Sequence, residues 1–178
     1  FYQSVDNHNE PLINANDDFL PRTYFEHRAP EEGGNAVHLR AGYETCWVLT
    51  HGRCDIDGGK VFENVGNRDS IWENQRADSV YAPAGAKINV TCVSDDVVIF
   101  VAGGRCEEYH EPYRIKPEDV KPVEVGSVET HSRRVINHIL GAKDEGRTGN
   151  LLVSELYADP GGDGRNFVTL EALGEEIE

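Results

Sequence analysis

The stretch that decides the fold runs from Tyr43 to Gly104. It reads YETCWVLTHGRCDIDGG at positions 43–59, FENVGNRDSIWE at 62–73 and SVYAPAG at 79–85, and it ends in an alternating run to Val101. Short apolar strands between glycine-rich turns, with one Pro-x-Gly corner at Pro83, are typical of a small β-barrel. The sequence therefore predicts an all-β fold.

The patterns along the whole chain divide it into three parts. Residues 1–115 are expected to form the barrel with a polar N-terminal arm or meander over 1–30, and residues 116–133 a connector rich in charge and proline. Two apolar runs, 134–140 and 151–157, predict strands that begin a second barrel within 134–178. Too little chain follows to complete that barrel, and 168–173 fits a strand or a helix.

The bulk composition excludes some classes of partner. The chain has 178 residues and a formal net charge of −15 at pH 7. Nucleic acids and anionic membrane surfaces would repel such a protein. No apolar run approaches the length of a membrane-spanning helix, so a soluble protein is expected.

The cysteines give an expectation about the compartment. Cys46, Cys54, Cys92 and Cys106 form neither a Cys-x-x-Cys pair nor a zinc-type spacing. Cys46 and Cys92 lie in apolar strand patterns, which favours buried, reduced thiols. A cytoplasmic location is therefore expected.

Two side chains of the later strands are candidate catalytic groups. His138 lies in the strand 134–140 and is expected to face the side opposite Ile139, either as a catalytic residue or as a hydrogen-bonded histidine at a domain junction. Glu155 alternates with apolar neighbours, so it is a base or ligand with a raised pKa, or it faces solvent.

A metal site is not predicted from the residues themselves. A mononuclear site of oxygen and nitrogen ligands needs two histidines alternating on one strand, and the chain contains no His-x-His. His38, Glu44 and His51 are the one trio that strands could bring together. The neighbouring glycines put both histidines near strand ends, where polar residues are ordinary.

Six segments of the chain, taken in order, resemble those of the 5-deoxy-glucuronate isomerase family of bacterial myo-inositol catabolism. The resemblance covers roughly residues 24–162. No single segment is specific to the family, but the set of segments in this order is. The matching segments are residues 44–59, 62–73, 79–85, 114–120, 133–140 and 151–157.

The resemblance implies a bicupin, in which two cupin-type jelly-roll barrels (double-stranded β-helices) lie on one chain; the second is incomplete here. It implies a metal-assisted aldose–ketose isomerase, an intramolecular oxidoreductase that interconverts 5-deoxy-glucuronate and 5-keto-2-deoxy-gluconate. The family's divalent metal is held in the second barrel by a Pro-His-x-His segment, a glutamate and a further histidine. No histidine follows Gly162, and Ile88 stands where a cupin histidine would follow the Pro-x-Gly corner.

The resemblance also gives expectations about partners. A small sugar acid is the implied ligand, and Arg133, Arg134 and Arg147 are the candidates to bind its carboxylate as a fork. Identical chains could assemble through their sheet edges. Because the metal ligands are missing, a second reading stays open: a non-catalytic cupin that binds a small sugar acid or serves as an assembly subunit.

Overall fold

A computed structural model describes residues 10–30, 35–39, 42–73, 76–149, 151–158 and 168–174. This part of the chain contains fourteen strands and three single turns of 3₁₀-helix, at Ile71–Glu73, Pro117–Asp119 and Ala142–Asp144. None of its helices is long and apolar enough to cross a membrane. The strands are β1 (Pro11–Ile13), β2 (Thr23–Arg28), β3 (Asn35–Leu39), β4 (Tyr43–His51), β5 (Cys54–Asp57), β6 (Val61–Val65), β7 (Ser79–Ala82), β8 (Lys87–Cys92), β9 (Val98–Arg105), β10 (Tyr113–Ile115), β11 (Pro122–Val125), β12 (Arg134–Leu140), β13 (Leu151–Ala158) and β14 (Val168–Gly174).

Two antiparallel sheets form the first barrel. The larger has six strands in the order β1-β2-β9-β4-β7-β10, and the smaller has four in the order β3-β8-β5-β6. Their facing sides share one apolar core. The predicted all-β, cupin-type jelly-roll fold is confirmed.

Large side chains fill the interior of this barrel. Trp47, Leu49, Ile56 and Ile88 all lie in the core and are at most 3% exposed. Ile88 therefore contributes an apolar contact at the place where a cupin of the metal-binding kind has a histidine. Such an interior is a packed core rather than a ligand cavity.

A second sheet, in the order β11-β12-β13-β14, packs against the outer face of the six-stranded sheet. Cys46, Val48 and Tyr81 contribute from the barrel, and Ile139 and Val153 contribute from the second sheet. As a result β4 is buried from Tyr43 to Thr50 on both of its faces. This confirms the interpretation of its continuous apolar run as a strand covered on both sides.

The structure differs from the sequence-based expectation at the N-terminus. Residues 1–9 of the expected arm lie outside the described residues, but β2 is a full barrel strand paired with β9. Its inward positions include Tyr24 and the fully buried Glu26, which hydrogen-bonds to Tyr24 at 2.5 Å and lies 2.6 Å from the Nε of Arg28. A carboxylate at a core position conceals the alternation that identifies a strand.

Two further elements refine the second sheet. β11 lies within the predicted connector and pairs with β12, so this sheet begins at Pro122 rather than at Arg134. The ambiguous segment near the C-terminus is a strand, β14, paired with β13 along its length. The division of the chain into separate units stays a prediction.

All four cysteines are free thiols. Cys46 and Cys54 are fully buried, and burial raises the pKa of the Cys54 thiol to about 12. The expectation of a buried thiol is confirmed for Cys46, whereas Cys92 is only half-buried because it lies at the end of β8.

The carboxylate of Glu44 ties the second sheet to the barrel. Glu44 is fully buried and accepts hydrogen bonds from the Tyr81 hydroxyl at 2.7 Å and from the backbone N–H groups of Gly149 and Leu151 at 2.8 and 3.0 Å. The hairpin approaches so closely that a Cβ on Gly149 would lie 2.9 Å from the Glu44 Oε1. Burial and the hydrogen bond to Glu44 raise the pKa of Tyr81, so its hydroxyl stays protonated and donates.

A buried ion pair makes the second tie. The Arg68 guanidinium binds both carboxylate oxygens of Glu155, and it also donates to the Tyr157 hydroxyl at 2.9 Å and to the Leu49 carbonyl at 3.1 Å. Both charged side chains are at most 1% exposed. Burial disfavours the charge on Arg68, but the hydrogen bond and charge of Glu155 outweigh it, and the pKa of Arg68 is raised.

We expect Glu44→Gln to lower the free energy of unfolding by about 2–3 kcal/mol, because an amide leaves buried N–H or O–H donors without an acceptor. Urea denaturation measures the change. The matched control is Glu63→Gln, an exposed carboxylate on β6, which should change stability by less than about 0.5 kcal/mol. Equal stability of the two variants would contradict the assigned role of Glu44.

We expect Arg68→Met to cost about 3–5 kcal/mol, because it leaves the Glu155 carboxylate buried without a partner. In that variant the folded-state pKa of Glu155 should rise, so stability is regained at low pH and lost as the pH rises through that pKa. The double variant Arg68→Met/Glu155→Leu should recover most of the loss.

The control for this pair is Arg133→Met, which removes an exposed ion pair with Glu124 and should cost no more than about 1 kcal/mol. Denaturation curves between pH 5 and pH 8 compare the variants. If Arg68→Met behaves like Arg133→Met, the buried pair does not hold the sheets together.

Candidate functional site

The open face of the second sheet carries a groove of about 570 Å³. β12 and β13 form its floor, and the turn at Pro117–Asp119 and the β12–β13 loop form its rim. Its walls are mainly apolar, with a few polar groups, which is the usual composition of a small-molecule site. The lining residues are Asp119, Lys121, Ile136, His138, Leu140, Gly141, Ala142, Lys143, Leu152, Ser154 and Leu156.

A histidine and a serine lie at the centre of the groove floor. His138 and Ser154 are directly opposite each other on β12 and β13, and the His138 Nδ1 lies 2.8 Å from the Ser154 Oγ. His138 is exposed and its neighbour Ile139 is fully buried, so His138 faces the side that strand alternation predicts. That side is the one turned away from the junction with the barrel.

Two lysines stand at the rim of the groove. Lys121 follows the 3₁₀ turn before β11, and Lys143 lies in the β12–β13 loop, where its Nζ donates to the Asp119 carbonyl at 3.3 Å. Both side chains are exposed. The groove thus offers positive charge to an anionic ligand. Sequence reasoning missed both lysines, since no motif connects a connector residue with a hairpin residue.

Glu155 lies on the opposite face of β13 from this groove. Its carboxylate is fully buried against the barrel and is bound by Arg68, so it neither faces solvent nor lines the groove. Burial and the Glu155 charge raise the pKa of the neighbouring Tyr157 to about 12. The structure therefore gives Glu155 a position suited to holding the sheets together.

The three arginine candidates are not brought together. Arg133 pairs with Glu124 at 3.2 Å, and Arg134 begins β12. Arg147 lies in the loop beyond the other end of β12, with its guanidinium 3.7 Å from the centre of the Tyr113 ring and 3.7 Å from an Asp144 oxygen. A seven-residue strand spans roughly 20 Å, so these residues cannot share one carboxylate within this chain. None of the three lines the groove.

The trio weighed as a metal site is not assembled either. Glu44 and His51 lie near opposite ends of β4; Glu44 binds Tyr81, and the His51 Nδ1 lies 2.5 Å from the Asp69 carbonyl. The side chain of His38 lies outside the described residues. Within the described part of the chain no three His, Cys, Asp or Glu side chains are grouped to hold a metal.

The donors of the groove itself do not fit the divalent metal that the resemblance implies. His138 offers one imidazole nitrogen and Ser154 a neutral hydroxyl, whereas such an ion needs several nitrogen or carboxylate ligands. The Pro-His-x-His segment of the family would fall after β13, where residues 159–167 lie outside the described residues and contain no histidine.

Known proteins resemble this chain over most of its described length. A 5-deoxy-glucuronate isomerase from Shouchella clausii is 29% identical over 145 residues, which are 79% of this chain and 52% of that protein. Another from Bacillus subtilis strain 168 is 32% identical over 119 residues, or 66% of this chain and 42% of the relative. This chain thus spans about half the length of the curated relatives it matches.

Two solved structures are similar to this chain in fold. The crystal structure of an IolB-like protein from Salmonella typhimurium matches with a TM-score of 0.71 and 25% identity, over 79% of this chain and 52% of the other. A putative glyoxylate-induced protein from Pseudomonas aeruginosa matches with a TM-score of 0.52 at 14% identity, over 78% and 49%, which speaks for the fold alone.

The family model that describes the KduI/IolB proteins matches residues 3–164 and so takes in the first barrel, the connector and the groove-bearing strands. Because this match takes in most of the chain, the chain belongs to the KduI/IolB family.

Proposed function

We propose that the protein is a sugar-acid isomerase that interconverts 5-deoxy-glucuronate and 5-keto-2-deoxy-gluconate, and that the groove on the second sheet is where the sugar acid binds. The observation that carries the proposal is the hydrogen-bonded His138–Ser154 pair at the centre of a mainly apolar groove with lysines at its rim. Family membership and the names of the relatives support the choice of substrate.

The isomerisation moves one proton between neighbouring carbons. With the Nδ1–H of His138 donating to the Ser154 Oγ, the Nε2 carries the lone pair and acts as the base. It takes the proton from the hydroxyl-bearing carbon while solvent water in the open groove protonates the aldehyde oxygen, which gives an enediol. His138 then returns its proton to the former aldehyde carbon while the hydroxyl on the neighbouring carbon loses its proton to water, which gives the ketone.

The remaining groups of the groove orient the sugar acid. The ammonium groups of Lys121 and Lys143 attract its carboxylate at the rim, where exposure allows exchange with solvent. Ile136, Leu152 and Leu156 exclude water from one side of the histidine, which strengthens polar contacts made there.

A second function has a specific observation in its favour. The rim lysines and apolar walls of the groove suit the binding of a sugar acid whether or not a proton is moved. The alternative is therefore a non-catalytic cupin that binds a small sugar acid, or an assembly subunit. Binding without turnover distinguishes this alternative from the isomerase.

The test is incubation of the protein with 5-deoxy-glucuronate in D₂O, followed by NMR for ketone formation and deuterium uptake at the reacting carbons. We expect His138→Gln to lower the rate by about 10²–10⁴-fold, the usual contribution of a general base. Ser154→Ala should lower the rate less and shift its pH profile, because Ser154 acts by orienting the imidazole.

The matched control is His131→Asn, an exposed histidine in the turn before β12 whose positive φ of 51° asparagine also tolerates. It should leave the rate unchanged. A wild-type rate equal to that of buffer, with saturable substrate binding, would favour the binding role. Full activity in His138→Gln would show that the groove is not the site.

A further inference from the structure

A second cleft, of about 550 Å³, lies away from the groove, where the start of β2 and the end of β9 meet the last residues of the β12–β13 loop. Its lining residues are Arg22, Arg105, Cys106, Glu107, Glu108, His110, Gly146, Thr148 and Gly149.

Two arginines face each other across this cleft's strand ladder. Thr23 of β2 pairs with Gly104 of β9, and the next bond of the ladder runs from the Arg105 N–H to the Arg22 carbonyl at 2.8 Å. Like charges on directly opposed positions of an antiparallel pair repel each other. The register of the barrel thus places the two arginines at opposed positions, and both residues line the same cleft.

Neither guanidinium group has a partner in the part of the chain that the structure describes, where no ion pair or side-chain hydrogen bond involves Arg22 or Arg105. This is unexpected in a chain with 32 acidic and 17 basic residues. By contrast, Arg28, Arg68 and Arg114 all bind carboxylates. Glu107 and Glu108 line the same cleft, and neither forms an ion pair with Arg22 or Arg105 among the described residues.

A buried imidazole nitrogen lines the same cleft. The side chain of His110 is 12% exposed, and its Nε2 has no hydrogen-bond partner among the described residues. Its nearest carboxylate, that of Glu108, lies 3.8 Å away and is 82% exposed. A buried polar nitrogen without a partner costs free energy that a ligand can recover.

We propose that this cleft binds a multivalent oxyanion, namely the phosphate or carboxylate groups of a small metabolite, between Arg22 and Arg105 with His110 as a further contact. Two adjacent guanidinium forks match the oxygens of such a group and lose their mutual repulsion when it binds. The acidic side chains at the rim, Glu107 and Glu108, are exposed to solvent and discriminate against larger polyanions. The site goes beyond the isomerase activity and does not depend on it.

Isothermal titration with pyrophosphate and, separately, with succinate tests the proposal and separates phosphate from carboxylate ligands. Ionic strength is held constant with choline chloride. We expect saturable binding of at least one probe, and a dissociation constant raised at least tenfold in Arg22→Gln and in Arg105→Gln. The dissociation constant of Arg22→Lys should lie between those of the wild type and Arg22→Gln, because lysine keeps the positive charge but cannot form the two parallel hydrogen bonds of a guanidinium group.

Thermal unfolding gives an independent readout of opposite sign. Without anion, Arg22→Gln should have a melting temperature equal to or above that of the wild type, because the like-charge pair is removed. Addition of pyrophosphate should raise the melting temperature of the wild type more than that of the variant. The matched control is Arg53→Gln, an exposed arginine after β4, which should bind like the wild type. Equal affinity in all variants, or no binding at constant ionic strength, would overturn the site.

The titration also separates this site from the proposed isomerase. His138→Gln should bind the anion as the wild type does, and Arg22→Gln should keep the wild-type isomerisation rate. Loss of anion binding in His138→Gln would place the anion in the groove instead and overturn the cleft.

Discussion

The structure depends on one constraint: β4, a central strand of the barrel's six-stranded sheet, is buried on both faces. One face packs in the barrel core and the other against the second sheet. A strand in this position has no wet side, so every polar group placed there must find a partner inside the protein. Glu44 satisfies that requirement by accepting three hydrogen bonds. Two of them come from the backbone N–H groups of Gly149, just before β13, and Leu151, its first residue.

The same constraint fixes how the second sheet is used. The odd-numbered residues of β13 from Leu151 to Glu155 are buried against the barrel, and the even-numbered residues between them face away from it. Glu155 falls on the first set, where Arg68 neutralises it, and Ser154 falls on the second, beside His138. A shift of register by one residue would exchange these roles: it would break the Arg68–Glu155 pair and move the buried Leu151 and Val153 out of the core.

The first barrel and the second sheet therefore differ in character. The first is filled by apolar side chains and serves as a platform that holds the second sheet in place. Ligand-sized space lies in the groove on that sheet and in the cleft beneath the β12–β13 loop. Both are lined in part by this one loop, whose sequence of glycines and charged residues contains a 3₁₀ turn capped by Asp144.

Much of the fold follows from sequence alone. Alternation and glycine turns predict a set of short barrel strands within 43–104, the strands β12 and β13, and the side on which His138 lies, because a strand has a period of two whatever it packs against. The sequence did not predict β2, because the buried Glu26 breaks the alternating pattern. It did not predict β11, because the residues of that strand are mostly exposed.

Tertiary structure decided the rest. Local pattern gives Glu155 a face but not a neighbour, and only the packing of the second sheet on the barrel brings it to Arg68, 87 positions earlier in the chain. The pairing of His138 with Ser154 and the approach of Arg22 to Arg105 likewise need a strand register. Contacts between residues far apart in sequence are set by the whole fold, since no local preference specifies which strands become neighbours.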